Sequence, residues 1–194
     1  MNTRDILNLR LTNEHLSRPD FATPEAVVSH LGAVQSQDYP AARWGIGIRM
    51  KHATDAQIDE AYNAGKFLRI HVMRPTWHFV MPEDVRWMQS LTSANVKRLM
   101  GHYNRKLELT EEVFSRSAEI ISHALIGGTY LTRQELKKLL EAVDIQTDVQ
   151  RLAHLLMDAE LDALICNGPR RGKQFTYALL DERIPKTKEL SREE

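Results

Sequence analysis

Twice along this chain a stretch patterned for helices gives way to a short stretch patterned for strands, and this repeated order constrains the fold more than any other feature. Apolar residues three and four apart mark helices, whereas strict alternation marks strands. In the first tract, helical patterns cover residues 3–17, 24–37, 40–50 and 54–65, and Gly65 closes the last. The period then changes. Phe67 to Val80, FLRIHVMRPTWHFV, is rich in β-formers, with Ile70 and Val72 alternating against Arg69 and His71, and Pro75 divides it into the two strands of a hairpin. Pro82 opens a long helix, ending near Leu107, on which Val85, Met88, Leu91, Leu99 and Tyr103 share one face.

The second tract repeats the order. Thr110 caps a helix carrying Phe114, Ala118, Ile121 and Leu125, which Gly127-Gly128 stops. Thr132-Arg133-Gln134-Glu135 is a T-x-x-E capping box leading into Leu136, Leu139, Leu140 and Val143. A third helix, from about Asp148 to Glu160, is predicted to bury Val149, Leu152, Leu156 and Ala159. Ala163–Cys166 and Phe175–Leu179 then read as strands around the turn Asn167–Lys173. Three short helices followed by a hairpin with a basic tip is the order of a winged helix. The expected architecture is therefore mainly α with short β hairpins (α+β), as tandem winged-helix modules. Residues 1–81 form the first module, 82–108 the linking helix, 109–185 the second module and 186–194 a connector.

The helix predicted over 24–37 carries the most pointed polar feature. Thr23 is a natural N-cap, Pro24 suits the first helical position, and Val27, Leu31 and Val34 recur at helical spacing. Tyr39 precedes Pro40 and is biased away from helix, so Gln35 falls in the last turn and Gln37 at or just past it. Two neutral amides there can grip a water molecule or a sugar-phosphate, but cannot act as strong acids or bases.

Charge limits the partners. With 26 Lys and Arg against 26 Asp and Glu, no bulk field draws in nucleic acid or anionic membrane, so any DNA site is a local patch. Two candidates exist: the tip GPRRGK, with Arg170, Arg171 and Lys173, and the stretch of Lys97, Arg98, His102, Arg105 and Lys106 on the linking helix. A charged tip or helix face is equally a solvated surface. The third helix of the second tract exposes Gln150, Arg151 and His154, but Asp158 and Glu160 follow at once and make it a poor reader of bases. The single Cys166 excludes an internal disulfide and fits a cytoplasmic protein, and no stretch is apolar enough to span a membrane. The eight histidines lack metal-ligand spacing, and Gly45-Ile46-Gly47 lacks the third glycine of a dinucleotide fingerprint. No metal or cofactor is expected.

LGAVQSQDYPAARWGI (Leu31 to Ile46), RIHVMRPTWHFV (Arg69 to Val80) and GPRRGKQFTYALLDERIP (Gly168 to Pro185) together resemble the AlkZ and YcaQ type winged-helix DNA glycosylases. Gln35-Ser36-Gln37 is similar to that family's Gln-x-Gln signature, in the form of its AlkZ-like branch. The resemblance implies duplex DNA as partner and hydrolysis of the N-glycosidic bond of alkylated purines, with Gln35 and Gln37 as catalytic residues. It also gives His78 a place in the family's hairpin pattern. A purine alkylated at N7 is already cationic and leaves without a strong acid, so placing water and stabilising the sugar is the task that remains. Arg69, His71, Arg74 and His78 are expected to hold phosphates around the lesion, and Trp77 either packs in the core or stacks on a displaced base. Two features depart from the family: Pro75 stands where Gly usually precedes Thr, and relatives run about twice as long, so KTKELSREE reads as a connector without its continuation. A non-catalytic winged-helix DNA-binding protein is the alternative.

Overall fold

The computed structural model describes residues 2–148 and 150–184. The chain begins with α1 (Thr3–Asn13), a helix held by an Asn2/Asp5 capping box that buries none of its residues. A first unit follows, comprising α2 (Pro24–Leu31), β1 (Ala33–Gln35), α3 (Tyr39–Gly47), α4 (Asp55–Asn63), β2 (Leu68–His71) and β3 (Trp77–Val80). The long α5 (Val85–Lys106) leads to a second unit of α6 (Glu111–Leu125), β4 (Leu131–Thr132), α7 (Arg133–Glu141), α8 (Arg151–Leu161), β5 (Ile165–Asn167) and β6 (Thr176–Leu179), and α9 (Leu180–Arg183) closes the described residues. The two units share one order: helix, strand, two helices, hairpin. In each, the lone early strand pairs antiparallel with the last strand, giving sheets ordered β1-β3-β2 and β4-β6-β5.

Local chemistry accounts for the helix starts. Thr23 accepts from Ala26 N and Pro24 fills the first turn of α2, Asp38 caps α3, and the capping box at Thr132 and Glu135 is present with both reciprocal bonds. Helix ends depart from the sequence reading. The helix predicted over 24–37 stops at Leu31, because Gly32 takes a left-handed φ of 72° that a side chain resists. Ala33, Val34 and Gln35 instead pair with Val80, Phe79 and His78 of β3. The linking helix starts at Val85, past a turn that contains Pro82, and its buried face is Val85, Met88, Gln89 and Val96. Leu91, Leu99 and Tyr103, expected on that face, are exposed. Val149, the tail 186–194 and the predicted end of the second module at Pro185 lie outside the described residues.

Each unit has its own apolar core: Val27, Ile46, Ile58, Tyr62, Phe67 and Phe79 in the first, and Phe114, Ile121, Leu136, Leu140, Leu156 and Tyr177 in the second. A third cluster joins them. Leu68, Ile70 and Val80 of the first sheet, with Val72 just past β2, meet Cys166 and Ala178 of the second under Val85 and Met88 of α5. Burying these side chains, at roughly 1.5–3 kcal/mol each, makes the two units one packed body. Gly168 is part of the fit, since a Cβ there would come within 2.7 Å of Thr176 Oγ1 and 2.9 Å of Tyr130 Cδ1.

Candidate active site

Gln35 ends strand β1 and Gln37 stands two residues on, at the bend that leads into α3, so neither is on the end of a helix. Side chains alternate along a strand, so Gln35 and Gln37 are both exposed while Ser36 between them is fully buried. Ser36 N donates to Trp77 O at 2.7 Å, which extends the β1–β3 ladder by one residue. Gln35 faces His78 across the ladder, with Ile70 beyond it in register on β2. Register places Arg69, His71, Trp77 and Phe79 on the opposite face.

Both amides have a set orientation. Arg74 Nη2 donates to Gln35 Oε1 at 3.3 Å, and Trp77 N donates to Gln37 Oε1 at 3.3 Å. These partners can only donate, so each Gln carbonyl oxygen must be the atom turned toward them. Each oxygen keeps a second lone pair and each NH2 group keeps its two donors. Beside them, His78 Nδ1 lies 2.9 Å from Thr76 O, which fixes the ring proton on Nδ1 and leaves Nε2 as an acceptor. Burial, reinforced by Arg74 and His71 nearby, holds the His78 pKa below the ordinary histidine value, with the Thr76 bond opposing it. The arrangement offers neutral hydrogen-bonding groups on one face, suited to orienting a water molecule or a polar oxygen.

The structure separates the other expected residues into three groups. Arg69 and His71 are corrected: both are 4 % exposed and engaged by partners inside the protein, so neither is free to hold a phosphate. Arg69 Nε donates to Ser36 O at 3.1 Å and Nη1 to Asn167 Oδ1 at 2.9 Å, with its guanidinium stacked on the Trp77 and Phe175 rings. His71 Nδ1 lies 2.6 Å from Oε2 of Glu160, which also accepts from the His71 backbone N–H. His78 is buried as well. Lys97, the second group, is engaged by Asp158 and Asp162 at 2.9 and 2.7 Å. Arg170 lies against the Tyr39 ring near Asp59, and Arg171 pairs with Glu135 at 2.8 Å. The third group, Arg74, Arg98, Arg105 and Lys173, is exposed. Arg98, His102 and Arg105 follow helical spacing along one exposed face of α5.

The third helix of the second unit is also corrected. On α8, His154 and Glu160 are buried with Leu152, Leu155, Leu156 and Ala159, so His154 packs inside the molecule, whereas Gln150 is exposed and Arg151 half-buried. Sequence reasoning missed Ser36, Asn167 and Glu160 as parts of the site's support. One signal was available: Leu152, Leu156 and Glu160 are spaced four apart, which places a carboxylate on the helix's apolar stripe. Among the described residues no helix is long and apolar enough to cross a membrane.

Comparison with known proteins adds a family to this geometry. Residues 28–194 match the family model described as DNA glycosylase AlkZ-like. No curated protein matches. Among solved structures, Streptomyces sahachiroi DNA glycosylase AlkZ superposes with a TM-score of 0.78 at 22 % identity, over 97 % of this chain and 53 % of that one. The fold is shared, and the chain spans about half the length of that relative.

Proposed function

The chain belongs to the AlkZ-like DNA glycosylase family, and on that premise we propose that it hydrolyses alkylated, N7-adducted or crosslinked purines from duplex DNA as a monofunctional glycosylase. The observation that carries this reading is the pair of amides on one exposed face, each with its carbonyl oxygen pinned by an obligate donor. A base that is already cationic needs no strong acid, and two oriented amides can hold the water and the sugar oxygens where the oxocarbenium-like sugar develops. Gln35 and Gln37 are the catalytic residues of this proposal, and Arg74 orients Gln35. The repeated order of helix, strand, two helices and hairpin supports two winged-helix modules joined by α5. Phosphates are gripped by Arg98 and Arg105 on α5 and by Lys173 at the hairpin tip, which suits a neutral protein that binds duplex by local contacts. A DNA-acting enzyme of this kind works in the cytoplasm, at the nucleoid.

Single-turnover release from an N7-methylguanine duplex tests the reading. Gln37→Ala and Gln35→Ala are each expected to slow release about 10²-fold while leaving duplex affinity nearly intact, the size of effect seen when one positioned polar group is lost. Equal rates in wild type and both variants refute the catalytic role. Binding without release by the wild type favours a non-catalytic DNA-binding protein.

A further inference from the structure

We propose that Arg69 is the positioning residue of the glutamine strand, and that through Asn167 and Glu160 the second unit sets where the two amides stand. The kinetic part of this inference rests on the proposed function; the structural part does not.

Ser36, between the two glutamines, has both backbone groups held. Its N–H goes to Trp77 O of the hairpin, and its carbonyl accepts from Arg69 Nε. Arg69 spends a buried guanidinium on this contact. Its polar partners among the described residues are two neutral oxygens, Ser36 O and Asn167 Oδ1, which lie on different units. The ring faces that enclose it also come from both units, Trp77 at 4.1 Å and Phe175 at 4.4 Å. Asn167 is 1 % exposed, and its Nδ2 reaches Glu160 Oε1 at 3.4 Å. Glu160, wholly buried on α8, takes the His71 N–H at 2.9 Å and Trp77 Nε1 at 3.3 Å. Trp77 then holds Gln37 through its own backbone N–H.

Two polar routes therefore run from the second unit to the signature, one through Arg69 to Ser36 and one through Trp77 to Gln37. A planar fork is suited to this task, because it fixes two acceptors relative to each other, which a point charge on a flexible stem does not. Stability alone gives no reason for it: well-packed apolar groups generally serve a buried site at least as well as buried charge. Held position is what the polar version adds.

The test uses Asn167→Ala, which leaves both glutamines and Arg69 in place, and Arg69→Lys, which keeps the charge and loses the fork. Leu180→Ala, in the apolar seam and outside the polar routes, is the control for general loosening. Native-state hydrogen exchange at the amides of Ser36 and Trp77 is the first readout. Asn167→Ala is expected to raise exchange at both about 10-fold beyond the control, roughly the effect of losing one hydrogen bond. Single-turnover release is the second: a 10- to 100-fold fall, about what a misplacement on the order of 1 Å costs, with duplex affinity within about twofold. Arg69→Lys is expected to show both effects, and the double variant little more than either single change. Exchange no faster in Asn167→Ala than in Leu180→Ala overturns the proposal, as does faster exchange with an unchanged rate in an active protein. Faster exchange in a protein whose wild type releases no base upholds the positioning and sinks the glycosylase reading instead.

Discussion

Replacing Glu160 with alanine removes the acceptor on which the two units converge, and the structure sets the size of the loss. The carboxylate is fully buried and stands within hydrogen-bond distance of His71 N, His71 Nδ1, Trp77 Nε1 and Asn167 Nδ2. A buried donor left without a partner costs about 1–3 kcal/mol. The two His71 groups and Asn167 Nδ2 are buried and bear this cost, whereas Trp77 is partly exposed and can turn to water. The lost charge also stops offsetting the buried guanidinium of Arg69. Together these give about 3–5 kcal/mol, the usual range for breaking a buried polar pair from one side. With a urea slope of about 2 kcal/mol/M, the unfolding midpoint falls by roughly 2 M at unchanged slope. Tryptophan fluorescence reports the transition. Glu182→Ala is the comparison, an exposed carboxylate that accepts from Gly127 N and Gly128 N and is expected to cost about 1 kcal/mol. A Glu160→Ala midpoint no lower than that of Glu182→Ala refutes the reasoning.

Burial holds the pKa values of both His78 and His154 below the ordinary histidine value of about 6.5. The unfolded chain therefore binds protons first, so this stability is present in full above that pH and is lost as pH falls through the depressed folded values. Urea midpoints from pH 8 down to 5 should decline below about 6.5, and less so in a His78→Asn, His154→Gln variant; an unchanged decline refutes the assignment. At the hairpin tip, Lys173→Ala should lower the slope of log affinity against log salt by about 0.9, as one phosphate contact does. Arg170→Ala should leave that slope alone and lower stability instead, because this guanidinium lies on the Tyr39 and Phe175 rings. Cys166 is buried and its thiol pKa is pushed up by that burial. Iodoacetamide should accordingly modify it only at the rate of unfolding, and fast labelling of the native protein refutes its placement.

What was legible in the sequence was local. Thr23, Thr110 and the Thr132 capping box mark true helix starts because a cap hydrogen bond is made within four residues. The hairpins were legible because alternation and Pro75 lie within one short window. β1 was not, since Ala33-Val34-Gln35 carries no strand pattern of its own and becomes a strand by pairing with residues more than 40 positions away. The inward placement of Arg69 and His71 is illegible for the same reason. Their partners Asn167 and Glu160 lie 98 and 89 residues further on, and no local pattern announces that a second unit will cover the first sheet. The exposure of Leu91, Leu99 and Tyr103 reflects the same limit: a helix has several faces that fit its period, and packing partners choose among them.

The glycine that ends α2 has a consequence for reading any spacing of two. Residues two apart on a helix point about 200° apart, to opposite sides of the cylinder. On an extended chain they stand side by side. Gln-x-Gln is thus a pair only in one of the two backbones, and Gly32 selects it three residues before the first amide by turning the chain out of the helix. A sequence with the same two amides and a helix former in place of that glycine would carry the letters of the motif without its face.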